Sequence, residues 1–319
     1  MSRLDSSVLN DGAVASRASV RTLMETTKQG ISRLVTVTAM VGYLLTVARW
    51  ESWSIGVLLP GLVGCALGTW LSASGANSLN MWLEGSRDGR MERTRGRPIP
   101  SGRASPRAVA VFGTTLSMAG VTLLALLCGV PAALVSLACV ASYVLLYTPL
   151  KTRTIWNTLA GTIPGALPAL IGTTAATPGA TLGSLLDPFG LALVALMVVW
   201  QLPHFMAIAW MYREDYLRGG YRMLSGTDTT GRLSGWVMVL TACLLIPCVI
   251  LVGMTSEGML GGFFVASGIA ITLLFAWTGV EFVKRPVRSN AKRVFLASVI
   301  VLPSLFLLMT GEAALRLVL

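Results

Sequence analysis

Charge is what this sequence has least of. Only 12% of its 319 residues are charged, about half the ~25% of ordinary soluble domains. With 54% apolar residues and a mean hydropathy of +0.71, the chain is set apart from water-soluble globular folds. Histidine occurs once, as His204. The five cysteines, Cys65, Cys128, Cys139, Cys243 and Cys248, lie in apolar runs at no metal-ligand spacing and read as buried packing thiols. The opening segment, "MSRLDSSVLNDGAVASRASVRTLMETTKQG", lacks the compact apolar core and small-residue cleavage site of a secretory signal. Asp5, Asp11 and Glu25 speak against a transit peptide. Aromatic–basic motifs of nucleic-acid readers are missing too, so the net charge of +11 is read as membrane sidedness, not as affinity for nucleic acid.

What the sequence has is apolar runs of spanning length, at 32–50, 54–76, 107–128, 131–149, 155–176, 189–211, 234–254, 262–283 and 294–313. They predict an all-α polytopic membrane protein with nine transmembrane helices. Gly129 and Pro131 mark a break between the third and fourth runs. Nine spans with the N-terminus inside place 23 of the 25 Lys and Arg on one side, leaving only Arg49 and Arg316 outside. The positive-inside rule then predicts a cytoplasmic N-terminus and an outer C-terminus. Residues 1–30 are expected to form a flexible cytoplasmic segment and 31–319 one intramembrane domain. The polar chemistry gathers on the inner side, so function is expected to open there.

The densest polar stretch is "NSLNMWLEGSRDGRMERTRGRPIPSGR", residues 77–103. Asn80, Glu84 and Asp88 are four residues apart and share a face if the second helix continues past its apolar run. Asn77 lies near the same stripe. An amide and two carboxylates on one face suit a hard divalent cation such as Mg2+. Arg93, Arg95, Arg97 and Arg103 follow and suit phosphate. Together they describe a Mg–diphosphate site. A second cluster, "WQLPHFMAIAWMYREDYLRGGYRML", puts His204, Ile208, Met211 and Asp215 on one stripe of a continuous helix, with His204 about 16 Å deeper than Asp215. An intramembrane histidine must face protein or a cavity. In "YTPLKTRTIWNTLAGTIPGALPALIG", Lys151 and Arg153 stand at the inner mouth and Asn157 a turn inside. Gly161, Pro164, Gly165 and Pro168 there loosen the helix for a bulky neighbour.

"NMWLEGSRDGRMERTRGRP", "YTPLKTRTIWN", "WQLPHF" and "YREDYLRGGYRML" resemble the UbiA superfamily of intramembrane prenyltransferases. The last two, with "MERT…RP", are closest to the branch that makes heme O. The resemblance spans roughly residues 30–312, including "AKRVFLASVIVL" before the last span. It implies nine helices around a central cavity. It also implies transfer of farnesyl from farnesyl diphosphate to a vinyl group of heme b, with addition of water and release of diphosphate. The first Asp-rich motif maps to Asn80, Glu84 and Asp88, the arginine signature to Arg93 and Arg97, the lysine motif to Lys151, the histidine motif to His204 and the second acidic motif to Asp215. The implied Mg2+ ligands are Asn80, Glu84, Asp88 and Asp215. The diphosphate residues are Arg93, Arg97, Lys151 and Arg153. His204 is either a ligand of the heme iron or the residue that orients the trapping water. The implied partners are the lipid bilayer, farnesyl diphosphate, heme b and, downstream, heme A synthase or terminal-oxidase assembly factors. The implied location is the bacterial inner membrane.

Two departures stand out. Glu84-Gly85-Ser86-Arg87-Asp88 replaces the family's Asp-Arg-Asp-Ile-Asp, and Gly219 stands where other branches carry an acid, leaving Glu214 as an auxiliary candidate. An aromatic or quinone-precursor prenyltransferase would use the same diphosphate site without needing the histidine. A transporter would show paired repeats and a polar path through both leaflets, and neither is visible.

Overall fold

The computed structural model describes residues 19–52 and 54–318. The first 18 residues of the expected flexible segment lie outside them. Among the described residues the chain is helical, and nine helices are long and apolar enough to cross a membrane. A short helix α1 (Val20–Thr26) precedes the first span, α2 (Gln29–Val47). The second span runs through α3 (Ile55–Val63), a π-helical turn at Gly64–Gly68 and α4 (Thr69–Asp88). It thus continues 12 residues past its apolar run, as the acidic face requires. Next come α5 (Pro106–Cys128) and α6 (Val130–Ala141), broken at Gly129, whose φ of +93° few other residues would adopt. A second π turn (Ser142–Tyr147) leads into the short α7 (Thr148–Leu150). The remaining spans are α8 (Asn157–Ala176), α9 (Pro188–Met211), α12 (Arg232–Thr255), α13 (Gly262–Lys284) and α14 (Arg288–Val318). The short helices α10 (Arg213–Arg218) and α11 (Leu224–Thr227) lie between α9 and α12.

Bilayer-embedded helices associate by close packing, so small residues mark their contacts. A side chain at Gly75 of α4 would collide with Ser117 and the Gly113 carbonyl of α5. The same holds for Gly172 of α8 against the Ala39 carbonyl of α2. Of the nine spans α8 is the most buried, over 72% of its apolar stretch, while Leu126, Leu240, Leu274 and Leu307 are exposed on the outer faces. Pro168 cannot donate to the Pro164 carbonyl one turn back, and the Cys139 thiol donates to it instead at 3.1 Å. Cys65 and Cys248 are buried as expected, but Cys243 is exposed, because it falls on the outward face of α12.

The two arginines assigned to the outer side are both paired there. Arg49 joins Asp187, which caps α9, to Glu257 in the α12–α13 turn. Arg316 lies against Glu312, which accepts from the N–H groups of Gly261 and Phe264 at the start of α13. At the opposite end, α1 is packed into the bundle. Thr26 and Ser78 share a buried hydrogen bond, and Arg103 reaches Glu25 at 2.6 Å. Helix α1, within residues 1–30, is thus held against α4 and the loop that precedes α5.

Candidate active site

A cavity of about 350 Å³ opens among α2, α4, α8 and α9. One face of α4 supplies its polar mouth, with Asn80, Glu84 and Asp88 stacked as their spacing predicts and all three buried. Each meets its own cation. Lys28 Nζ donates to Asn80 Oδ1 at 2.6 Å, Lys151 Nζ to Glu84 Oε1 at 2.7 Å and Arg97 Nη1 to Asp88 Oδ2 at 2.7 Å. Asp88 Oδ1 is buried with no partner. A bare buried carboxylate oxygen is costly, and it is what a divalent cation would satisfy. The residues therefore fit Mg2+.

The orientation of Asn80 is fixed by the π turn. Thr148 gives its single hydroxyl proton to the Tyr143 carbonyl at 2.8 Å. Its oxygen can then only accept, and Asn80 Nδ2 donates to it at 2.9 Å. Oδ1 is thereby turned to Lys28.

Lys28 was hidden from sequence reasoning, because a lysine just before a span reads as positive-inside charge. The structure gives it two special properties. Its backbone is left-handed, with φ of +48° and ψ of +57°, and its ammonium lines the cavity. Burial, reinforced by the charges of Arg97 and Lys151 and opposed by Glu84 and Asp88, draws its pKa down to about 7. Lys151 moves the other way. Burial alone would lower it, but Glu84, Tyr147 and Tyr143 together raise it, and its Nζ lies 4.4 Å from the centre of the Tyr147 ring.

Not every expected residue converges. Arg93 lines the cavity and stacks over Tyr212 at 4.8 Å. Arg153 is exposed, outside the cavity lining. Asp215, expected as a fourth metal ligand on a helix continuous with His204, lies outside the lining too. The helix breaks at Tyr212 (φ −115°, ψ 27°), so α10 begins a new axis. Asp215 instead accepts from Glu92 N at 3.3 Å and faces Arg218 at 3.9 Å. Glu214 is exposed and pairs with Arg218. Among the described residues no three His, Cys, Asp or Glu side chains form a preformed metal cluster.

His204 lines the same cavity, farther in. It stacks on Trp200 at 5.3 Å and meets Phe295 at 5.1 Å. Its Nδ1 lies 2.7 Å from Ser298 Oγ, and Ser298 donates its only proton to the Phe295 carbonyl at 2.6 Å. With the serine proton on that carbonyl, Nδ1 carries the imidazole proton and Nε2 keeps the lone pair. Ser298 was missed because one serine in an apolar span carries no motif. Its only signal is that it is polar.

The UbiA prenyltransferase family model matches residues 35–307. A protoheme IX farnesyltransferase of Solibacter usitatus is 36% identical over 293 residues, covering 91% of this chain and 98% of that protein. Among solved structures, a digeranylgeranylglyceryl phosphate synthase superposes with a TM-score of 0.71 at 15% identity, covering 92% and 98% of the two chains. A UbiA homolog from Archaeoglobus fulgidus bound to GPP and Mg2+ does so at 0.55 and 11% identity, covering 91% and 99%.

Proposed function

The chain belongs to the UbiA prenyltransferase family, and we propose that it is a protoheme IX farnesyltransferase, making heme O and diphosphate from heme b, farnesyl diphosphate and water. The observation that carries this reading is the composition of one cavity: three cations over an acid–amide face at its mouth and, farther in, an imidazole with a bare Nε2.

The mouth receives the diphosphate. Lys28, Lys151 and Arg97 now hold oxygens of α4. They exchange these for phosphate oxygens and stabilise the charge that develops as the C1–O bond breaks, with Arg93 adding a further guanidinium at the rim. Asn80, Glu84 and Asp88 are thereby released as ligands. Mg2+ held by them would neutralise the leaving group. Asp215, which in the ligand-free chain holds the arginine loop through Glu92 N, is the fourth ligand that the family resemblance implies. Arg153 stays outside the reacting set.

The prenyl tail lies against Leu34, Val35, Ala73 and Val140. The vinyl carbon attacks C1, the positive charge passes to the carbon beside the porphyrin, and water adds there with loss of a proton. His204 presents Nε2 to the heme iron and orients the acceptor. The same lone pair could instead accept from the trapping water, and the two roles differ in the Soret band. The inner side, with 23 of 25 cationic residues, faces the cytoplasm of a bacterial inner membrane. Downstream, heme A synthase or oxidase assembly factors would take the product.

The test is incubation of the purified chain with heme b and farnesyl diphosphate, with and without Mg2+, followed by mass spectrometry of the pigment. A farnesylated, hydrated heme is expected. Prenylation of an aromatic acid in preference to heme would replace this reading with the alternative acceptor.

A further inference from the structure

Tyr221 belongs to a stretch whose chemistry the reaction above leaves unused. Three backbone hydrogen bonds end α10: Gly219 N to Asp215 O at 2.9 Å, Gly220 N to Leu217 O at 3.0 Å and Tyr221 N to Tyr216 O at 2.9 Å. Gly220 makes the turn with φ of +73°. Gly219 leaves room for the phenol, since a Cβ there would press on Met91 and on the Tyr221 ring itself. The next residue is pinned to the active-site wall. Arg222 N donates to the Lys151 carbonyl at 2.7 Å, and Asn157 Nδ2 donates to the Arg222 carbonyl at 2.7 Å. Gly219, Gly220 and buried Asn157 together hold Tyr221 against this wall.

Its ring is 4% exposed, lines the cavity, meets Tyr216 edge-on at 5.9 Å and lies 5.9 Å from Lys151 Nζ. Its hydroxyl is buried with no partner. Burial first, and then the charge of Glu84, raises its pKa, so the phenol keeps its proton. A buried O–H with no acceptor is a loss to the ligand-free protein, and phenylalanine would fill the same space without it. The acceptor is therefore a guest of this cavity that carries many oxygens and sits beside Lys151.

We propose that Tyr221 is a further substrate-binding residue, donating its phenol O–H to an oxygen of the diphosphate. This rests on the assignment of the mouth to diphosphate. The experiment titrates inorganic pyrophosphate, with magnesium, into the full chain in detergent by calorimetry, for the parent, Tyr221→Phe and Lys151→Ala. Heme binding is followed separately at the Soret band. A hydrogen bond to a charged acceptor predicts pyrophosphate affinity roughly tenfold or more lower in Tyr221→Phe, an unfolding temperature no lower than the parent's and unchanged heme binding. Unchanged pyrophosphate affinity in Tyr221→Phe, with loss in Lys151→Ala, overturns the role of the phenol alone. No loss in either variant overturns the diphosphate mouth and the phenol's role with it. A defect confined to heme binding assigns the hydroxyl to the acceptor and overturns the proposal.

Discussion

Lys28 separates stability from binding in a way few residues allow. Its left-handed backbone costs a non-glycine residue about 1–2 kcal/mol. Its ammonium is buried at a cost visible in the pKa lowered to about 7. What the folded chain gains in return is one hydrogen bond, to Asn80 Oδ1 at 2.6 Å. Lys28→Met keeps the backbone strain and the apolar stem but removes the charge. Lys28→Gly also relieves the strain, partly offset by the roughly 0.5–1 kcal/mol of chain entropy that glycine costs. Chemical unfolding in mixed micelles should therefore find Lys28→Gly equal to Lys28→Met or more stable, by at most about 1.5 kcal/mol. Both variants lose a charged donor to phosphate, about 1.5–3 kcal/mol. That corresponds to pyrophosphate affinity roughly 10- to 150-fold weaker. The reasoning is refuted if either variant binds pyrophosphate within twofold of the parent, or if glycine is clearly the less stable of the two.

Asp88→Asn keeps an acceptor for Arg97 but removes a negative oxygen, so turnover should fall and the magnesium titration should shift to higher concentration; an unshifted titration removes Asp88 from the ligand set. Ser298→Ala frees His204 Nδ1 from its fixed acceptor, and the Soret band of bound heme should shift or broaden while pyrophosphate affinity stays put. An unaltered heme spectrum shows that the serine does not set the imidazole. Arg153→Ala, at an exposed side chain, should leave the KM for farnesyl diphosphate within about twofold, whereas Arg97→Ala, which removes a guanidinium already bonded in the mouth, should raise it by about tenfold or more; equal effects would contradict the placement of the two arginines. Arg49→Gln should lower stability by about 1–2 kcal/mol, since Asp187 and Glu257 lose a shared partner, with KM unchanged because the pair lies at the other end of the spans.

The spans and the acidic face of α4 were legible because both depend on local periodicity. Twenty apolar residues must cross the bilayer as a helix, and residues four apart on a helix must share a face. The sequence is silent where geometry is set by distant contacts. Asp215 shares a sequence stripe with His204, but nothing in the sequence marks Tyr212 as the point where the axis turns. Lys28 meets Asn80 across 52 residues of chain, and no spacing rule reaches that far. Tyr221 sits within a recognisable motif, yet its value lies in a hydroxyl that lacks a partner, and absence of a contact is a property of the fold. Arg153 was placed at the mouth with Lys151, two residues away, but only one of the two turns inward.

The two ends of the cavity are oriented by one device. Thr148 at the mouth and Ser298 deeper in each spend their only proton on a backbone carbonyl three to five residues back, Tyr143 O and Phe295 O. Each hydroxyl oxygen is then left as a pure acceptor, which forces the polarity of the side chain opposite. Asn80 must present its amide nitrogen to Thr148 and its oxygen to the cations. His204 must present Nδ1–H to Ser298 and a lone pair to the cavity. A side-chain amide in either place could donate and accept at once, and would leave its partner free to flip. A hydroxyl committed elsewhere cannot. The oxygen suited to a cation and the nitrogen suited to an iron or a water are thus both oriented in the ligand-free chain, which is the preorganisation that the proposed reaction, through two successive cations, requires of its walls.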